Sequence, residues 1–251
     1  MQAATAVPSR PPALLPGRPA PAGAGRHRFR TGERICSGLV ACERLGGDDR
    51  IERWLAWSDD LWTRVVVELP RDEHADDLRT VRRLARQARS LRRLSHPAIP
   101  RLLEDAHDEP LPHLVLEHVE GPTLDRVLAG GPLPPAEVAR IGVLLAACLR
   151  HVHSRGLARV RLDPGAVALC CGHPMLLHAG AVRDIRRSDP HLDLVALGDL
   201  LQRLVAGAGR LPPRLDAALL ALRGCRHDSN LDPVRLLATT LPTEPSLSKA
   251  V

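Results

Sequence analysis

The chain has 251 residues, room for one two-lobed domain with tails, and its 44% apolar and 25% charged content is that of an ordinary globular protein. Aromatic residues make up only 2%, so the core has to be built from Leu, Val and Ala. Residues 1–35 hold six arginines against Glu33, which accounts for +5 of the net +6; a basic face on the folded part, as a nucleic-acid binder would carry, is not implied.

Residues 1–35 are rich in Pro, Ala, Gly and Arg and cannot bury enough apolar surface to offset ordering, so a disordered basic tail is expected. They contain no apolar block of the signal-peptide kind, and no run anywhere reaches the roughly 18–20 apolar residues of a membrane helix. A cytoplasmic protein without membrane insertion is expected. Two strands follow, Arg53–Trp57 and Thr63–Leu69, around the turn signal Ser58-Asp59-Asp60. The spacing of Leu78, Val81, Leu84, Ala85, Ala88, Leu91 and Leu94 predicts a helix over 76–94 whose other face is a row of arginines. Two more strands, near 101–106 and 113–118, complete a small sheet. From there the pattern is helical: 135–155, with Pro135 in its first turn and Gly156 past its end, then 191–207, 212–224 and 232–241. Strands first and helices later predict an α+β protein, and residues 241–251 read as a second flexible tail.

None of the six cysteines (Cys36, Cys42, Cys148, Cys170, Cys171, Cys225) forms a C-x-x-C pair. Adjacent Cys170 and Cys171 with His173 and His178 nearby make a poor tetrahedral set, so reduced thiols and no metal are expected.

Three stretches go further: Arg64-Val65-Val66-Val67-Glu68-Leu69, then His96-Pro97, then His113-Leu114-Val115-Leu116-Glu117-His118-Val119-Glu120-Gly121. In that order they resemble the first half of a bacterial-type serine/threonine protein kinase domain, and the likeness runs over about residues 42–240. The resemblance implies a bilobal kinase-like fold, with a small β-rich N-lobe over residues 36–120 and a reduced helical C-lobe over 121–240. In that family a strand lysine holds the ATP phosphates and pairs with a helix glutamate. Here the two positions read Glu68 and Gln87, and the chain's only lysine is Lys249. A carboxylate offers phosphate nothing but acceptors and negative charge. A neutral amide opposite it avoids like-charge repulsion, so the two departures are matched. Arg53 and Arg64 are candidate replacement cations; strand alternation puts Arg64 and Glu68 on one face if no bulge intervenes.

Leu45–Ile51 falls at the family's Gly-rich loop, with only Gly46 at a family glycine and Asp48, Asp49 and Ile51 at the others. Leu116 matches the gatekeeper, and the backbones of Glu117 and Val119 are the hinge groups that would take an adenine. The catalytic element reads Arg159-Val160-Arg161-Leu162-Asp163-Pro164-Gly165-Ala166. Arg161 stands where the catalytic aspartate should be and cannot accept a proton. Asp163 replaces the loop lysine, giving an Arg161–Asp163 ion pair of reversed sign. Ala166 replaces a metal-ligating asparagine, and His178 replaces the metal-binding aspartate, although magnesium wants hard oxygen ligands. Only about a dozen residues separate Gly180 from Asp193, so the substrate platform is expected to be missing, while Asp193-Leu194-Val195-Ala196-Leu197-Gly198 matches the start of the family's buried helix.

These residues lead to a catalytically inactive domain, a pseudokinase, that binds a protein partner such as an active kinase or signalling protein. No catalytic residue, metal or cofactor is then expected, with ATP at most bound without metal. Two alternatives stay open: a divergent ATP-dependent serine/threonine kinase with relocated residues, and a metal-independent nucleotide sensor. Arg159, Arg161 and His178 are a candidate anion cluster, and Thr239, Thr240, Thr243, Ser246 and Ser248 are candidate phosphoacceptors.

Overall fold

The computed structural model describes residues 29–158, 160–177, 182–185, 188–226 and 231–241. The first half is an antiparallel sheet of β1 (Arg34–Cys36), β2 (Leu39–Gly47), β3 (Ile51–Ser58), β4 (Thr63–Pro70), β5 (Leu102–Ala106) and β6 (His113–Glu117), in the order β1-β2-β3-β4-β6-β5. Helix α1 (Leu78–Leu91) lies between β4 and β5 in sequence. The second half holds α2 (Leu124–Leu128), α3 (Pro135–Ser154), β7 (Leu157–Ala158), the hairpin β8 (Val167–Cys170) and β9 (His173–Leu176), β10 (Arg183–Asp184), α4 (His191–Val205), α5 (Pro213–Arg223) and α6 (Pro233–Ala238). No helix among the described residues is long and apolar enough to cross a membrane.

Period-two alternation sorts the sheet into two faces. Trp54, Ala56, Val65, Val67, Leu69 and Val115 are buried on the outer one, together with Ile35, Leu39 and Ala41. Phe29 packs edge-on against Trp54, with ring centroids 6.3 Å apart. The tail expected over 1–35 therefore ends earlier: residues 1–28 lie outside the described residues, and 29–35 belong to the domain. Ile35 is the reason, since as part of β1 it closes the apolar face that Trp54 and Val65 would otherwise expose. Strand β2 is absent from the predicted elements. Its pairing with β3 slips between Ala41 and Glu43 and again between Arg44 and Gly46, which breaks the alternation a sequence reader looks for. The β3–β4 hairpin closes with Trp62 at φ 51°, stacked edge-on against Trp57 at 6.3 Å.

Helix α1 starts two residues later than expected, after the N-cap Asp77, whose side chain accepts from the Arg79 amide, and stops three residues earlier, at Leu91. It packs on the inner face through Leu84 and Ala88, against Ile51 and Leu114. Leu78, expected on the apolar stripe, is 67% exposed, while Thr80 is the buried residue of that first turn.

The larger core lies in the helical half. Val138, Ile141, Leu145, Leu149 and Val152 of α3 meet Leu197, Leu200, Leu201 and Leu204 of α4, with α5 and α6 closing the cluster through Leu219, Leu222 and Leu237. The long helices stop close to their expected ends, α3 at Ser154 before Gly156 and α4 at Val205.

Gly121, just past β6, has φ +148°, and a Cβ there would stand 2.1 Å from the Leu169 carbonyl oxygen. Gly131 has φ +117° and open space around it. Gly131→Ala should therefore cost only the backbone penalty, about 1 kcal/mol. Gly121→Ala should cost at least about 3 kcal/mol, because backbone has to move as well. Urea denaturation of the two variants measures the difference.

Candidate functional site

The strand position that the resemblance gives to a phosphate-binding lysine is buried, and it is an acid. Glu68 sits on the inner face of β4 at 2% exposure, with Arg53 of β3 as its cross-strand partner and Leu114 of β6 on its other side. Both carboxylate oxygens are engaged: Arg53 Nε donates to Oε1 at 2.6 Å, and Gln87 Nε2 on α1 donates to Oε2. The expected matching of Glu68 and Gln87 thus takes the form of a hydrogen bond, with Arg53 supplying the countercharge. The β3–β4 register runs without a shift, so Arg64 is on the same face as Glu68. Arg64 turns instead to Glu120 beyond β6. Each of the two arginines proposed as replacement cations thus holds a glutamate.

The segment expected as a Gly-rich loop is mostly strand. β2 runs through Gly47, whose φ of +145° and close approach to Ile51 (a Cβ would lie 2.2 Å from its carbonyl oxygen) give this glycine a purely local reason. The turn is Asp48-Asp49-Arg50, closed by Asp48 Oδ1 accepting from the amides of Arg50 at 3.0 Å and Ile51 at 2.9 Å. The same carboxylate pairs with Arg83 of α1, Arg50 pairs with the helix cap Asp77, and Arg71 Nε donates to the Asp48 carbonyl at 2.6 Å. The tip is thereby tied to α1. Partial burial works to raise the Asp48 carboxyl, but the Arg83 guanidinium and the two amides outweigh it and hold the group down at about 2.

At the hinge Leu116 is buried and pairs across β4 with Val66. The Glu117 amide donates to the Arg101 carbonyl at 2.9 Å, and its carboxylate accepts from Arg101. The Val119 amide makes no hydrogen bond among the described residues. His118, between them, is lowered by burial and then by Arg64.

The segment that the resemblance aligns with a catalytic loop is anchored by a residue that the sequence marks only as the start of a helix. Asp193, in the first turn of α4 and 2% exposed, accepts from the Val160 amide at 2.9 Å and meets His153 Nε2 at 2.8 Å. An acid opening an otherwise apolar helix run was the available signal. Arg161 and Asp163 form an ion pair at the surface, with side chains 60% and 39% exposed. Ala166 is fully buried and presents only a methyl group. Arg159 and His178 lie outside the described residues, as do Thr243, Ser246 and Ser248. The hydroxyls of Thr239 and Thr240 donate back to the Leu236 and Leu237 carbonyls, both at 2.7 Å. The structure thus joins Glu68 to Gln87 and Arg161 to Asp163.

Two outcomes test these clusters. The Asp48 carboxyl is lower in the folded chain than its ordinary 3.8, so its contribution should be complete above that pH and fade as pH falls toward about 2. Asp48→Asn should flatten the acid limb of a stability–pH curve over that window. Glu68→Ala should cost about 2–4 kcal/mol, near the low end for breaking a buried pair because Arg53 is 19% exposed. Replacing Glu68 and Arg53 together by Met should recover most of that in chemical denaturation.

No protein-family model matches the chain. Over 134 residues it is 28% identical to the serine/threonine-protein kinase PrkC of Bacillus subtilis (strain 168), covering 53% of this chain and 21% of PrkC. Over 124 residues it is 33% identical to the serine/threonine-protein kinase PkaA of Streptomyces coelicolor, covering 47% of this chain and 23% of PkaA. The chain thus spans less than a quarter of the length of these relatives. The kinase domain of Mycobacterium tuberculosis PknI superposes with a TM-score of 0.65 at 20% identity, over 84% of this chain and 98% of that one. The chain is thus similar in sequence to bacterial serine/threonine-protein kinases over about half of its length, and it has the protein-kinase fold.

Proposed function

We propose that the domain is a pseudokinase: it keeps the two-lobed scaffold, transfers no phosphate, and acts in signalling by binding a protein partner as scaffold or allosteric regulator. The observation that carries this reading is Glu68. A buried carboxylate with both oxygens committed to Arg53 and Gln87 stands at the position that the resemblance gives to the phosphate-binding lysine, where phosphoryl transfer needs a free cation. Magnesium-bound ATP does not fit the residues present. The Ala166 methyl offers a metal no oxygen, and the Arg161 guanidinium cannot take a proton from an acceptor hydroxyl.

A second reading, a nucleotide sensor that works without metal, is favoured by the unpartnered Val119 amide at the hinge, where an adenine edge would find a donor. Thermal-shift titration with ATP, with and without magnesium or manganese, separates the readings when run beside a radiolabelled autophosphorylation assay. The pseudokinase scaffold predicts neither a shift nor label. A shift that ignores metal supports the sensor. Metal-dependent label that is lost on blocking the hinge overturns both in favour of a divergent serine/threonine kinase.

A further inference from the structure

The ends of α1 and α3 meet at a recess of about 460 Å3 lined by Arg92, Arg93, Ser95, Ser154 and Arg155. No carboxylate is among these lining residues. Arg93 is built into place: its Nη2 donates to the Arg155 carbonyl at the C-terminal end of α3, and a Cβ on Gly156 (φ +69°) would stand 3.4 Å from that nitrogen. Arg92 is steadied by Asp105 at 2.8 Å while 62% of its side chain stays exposed. The Arg155 guanidinium has no carboxylate partner among the described residues. One acid and the partial negative charges of two helix C-terminal ends, those of α1 and α3, thus face three guanidinium groups, and the recess is left with a net positive charge. His151, next to it, accepts from the Ser95 amide at 3.2 Å and is lowered by burial and then by Arg155, so it is neutral and adds no charge.

Three cations around one hollow repel one another, and the fold uses only Arg93 to cap α3. A dianion would offset that repulsion. The forked donors of arginine match the oxygens of a phosphate, and two serine hydroxyls add further donors. The lining residues are all Arg or Ser and present mostly polar surface with no aromatic ring on which a base could stack, so a nucleotide would be held chiefly by its phosphate. Three guanidinium groups and two hydroxyls line this one recess, which suits a single terminal phosphate better than the evenly spaced monoanions of a nucleic-acid backbone.

We propose that this recess binds a phosphomonoester carried on a phosphorylated serine or threonine side chain of a partner polypeptide. The site is far from the hinge in sequence and in lining, and it does not depend on whether the domain transfers phosphate.

The test is calorimetric titration of the full chain with the capped peptide Ala-Ala-phosphothreonine-Ala-Ala, its unphosphorylated twin, inorganic phosphate and a short single-stranded oligonucleotide. The phosphopeptide should bind saturably and its twin should not. Arg155→Gln should weaken binding by about tenfold at unchanged melting temperature, and Arg92→Gln should weaken it as much with some loss of stability, because buried Asp105 loses its partner; Arg93 is avoided because it caps α3. The proposal fails if the two peptides behave alike, or if both variants bind the phosphopeptide as the parent does. It also fails if inorganic phosphate binds as tightly as the phosphopeptide, or if the oligonucleotide binds more tightly through Arg155.

Discussion

A carboxylate closed off from water needs donors at both oxygens or it carries its desolvation cost uncompensated. At Glu68 the donors come from two directions, Arg53 on the neighbouring strand and Gln87 on the helix across the inner face. That one side chain therefore ties β3 to β4 and α1 to the sheet. Asp48–Arg83 and Arg50–Asp77 repeat the pattern at the turn between β2 and β3. Arginines and acids link the sheet to α1 where a lysine-bearing kinase site would leave a cation pointing at phosphate. This redistribution explains how a chain with Lys249 as its only lysine keeps the architecture.

The helical half follows a different logic. Its core is aliphatic almost throughout, as a chain with 2% aromatic content requires, and it packs by volume. One polar device stands inside it. Asp193 holds the Val160 amide and His153, and so fixes the backbone that leads to Arg161. The loop is positioned with care although the side chain it presents is a guanidinium paired with Asp163. Positioned backbone and altered chemistry in the same loop are what the proposed partner-binding role needs, since a surface can be recognised without a reaction taking place.

Much of this was legible in the sequence, and the exceptions share a cause. The long helices carry enough turns of regular spacing for their ends to be read from Pro135 and Gly156. The β3–β4 hairpin shows clean alternation around a turn signal. What was lost lacked periodicity. β2 has two bulges and ends in Gly46-Gly47, and β1 is three residues long inside a stretch whose composition is that of a tail. Leu78 shows the opposite failure, a residue with the right spacing on a turn that buries Thr80 in its place. At the candidate site, residue identities gave the chemistry of Glu68, Gln87, Arg161 and Ala166. They did not give partners such as Arg53 for Glu68 or Arg83 for Asp48, because those contacts are fixed by register and by the placement of α1.

All three tryptophans, Trp54, Trp57 and Trp62, lie on the β3–β4 hairpin or its turn, and the chain has no tyrosine. Intrinsic fluorescence is thus a private reporter of the sheet lobe. Melting of the helical lobe alone would leave the emission unchanged while ellipticity fell, so the two optical signals together show whether the lobes come apart in one step or in two.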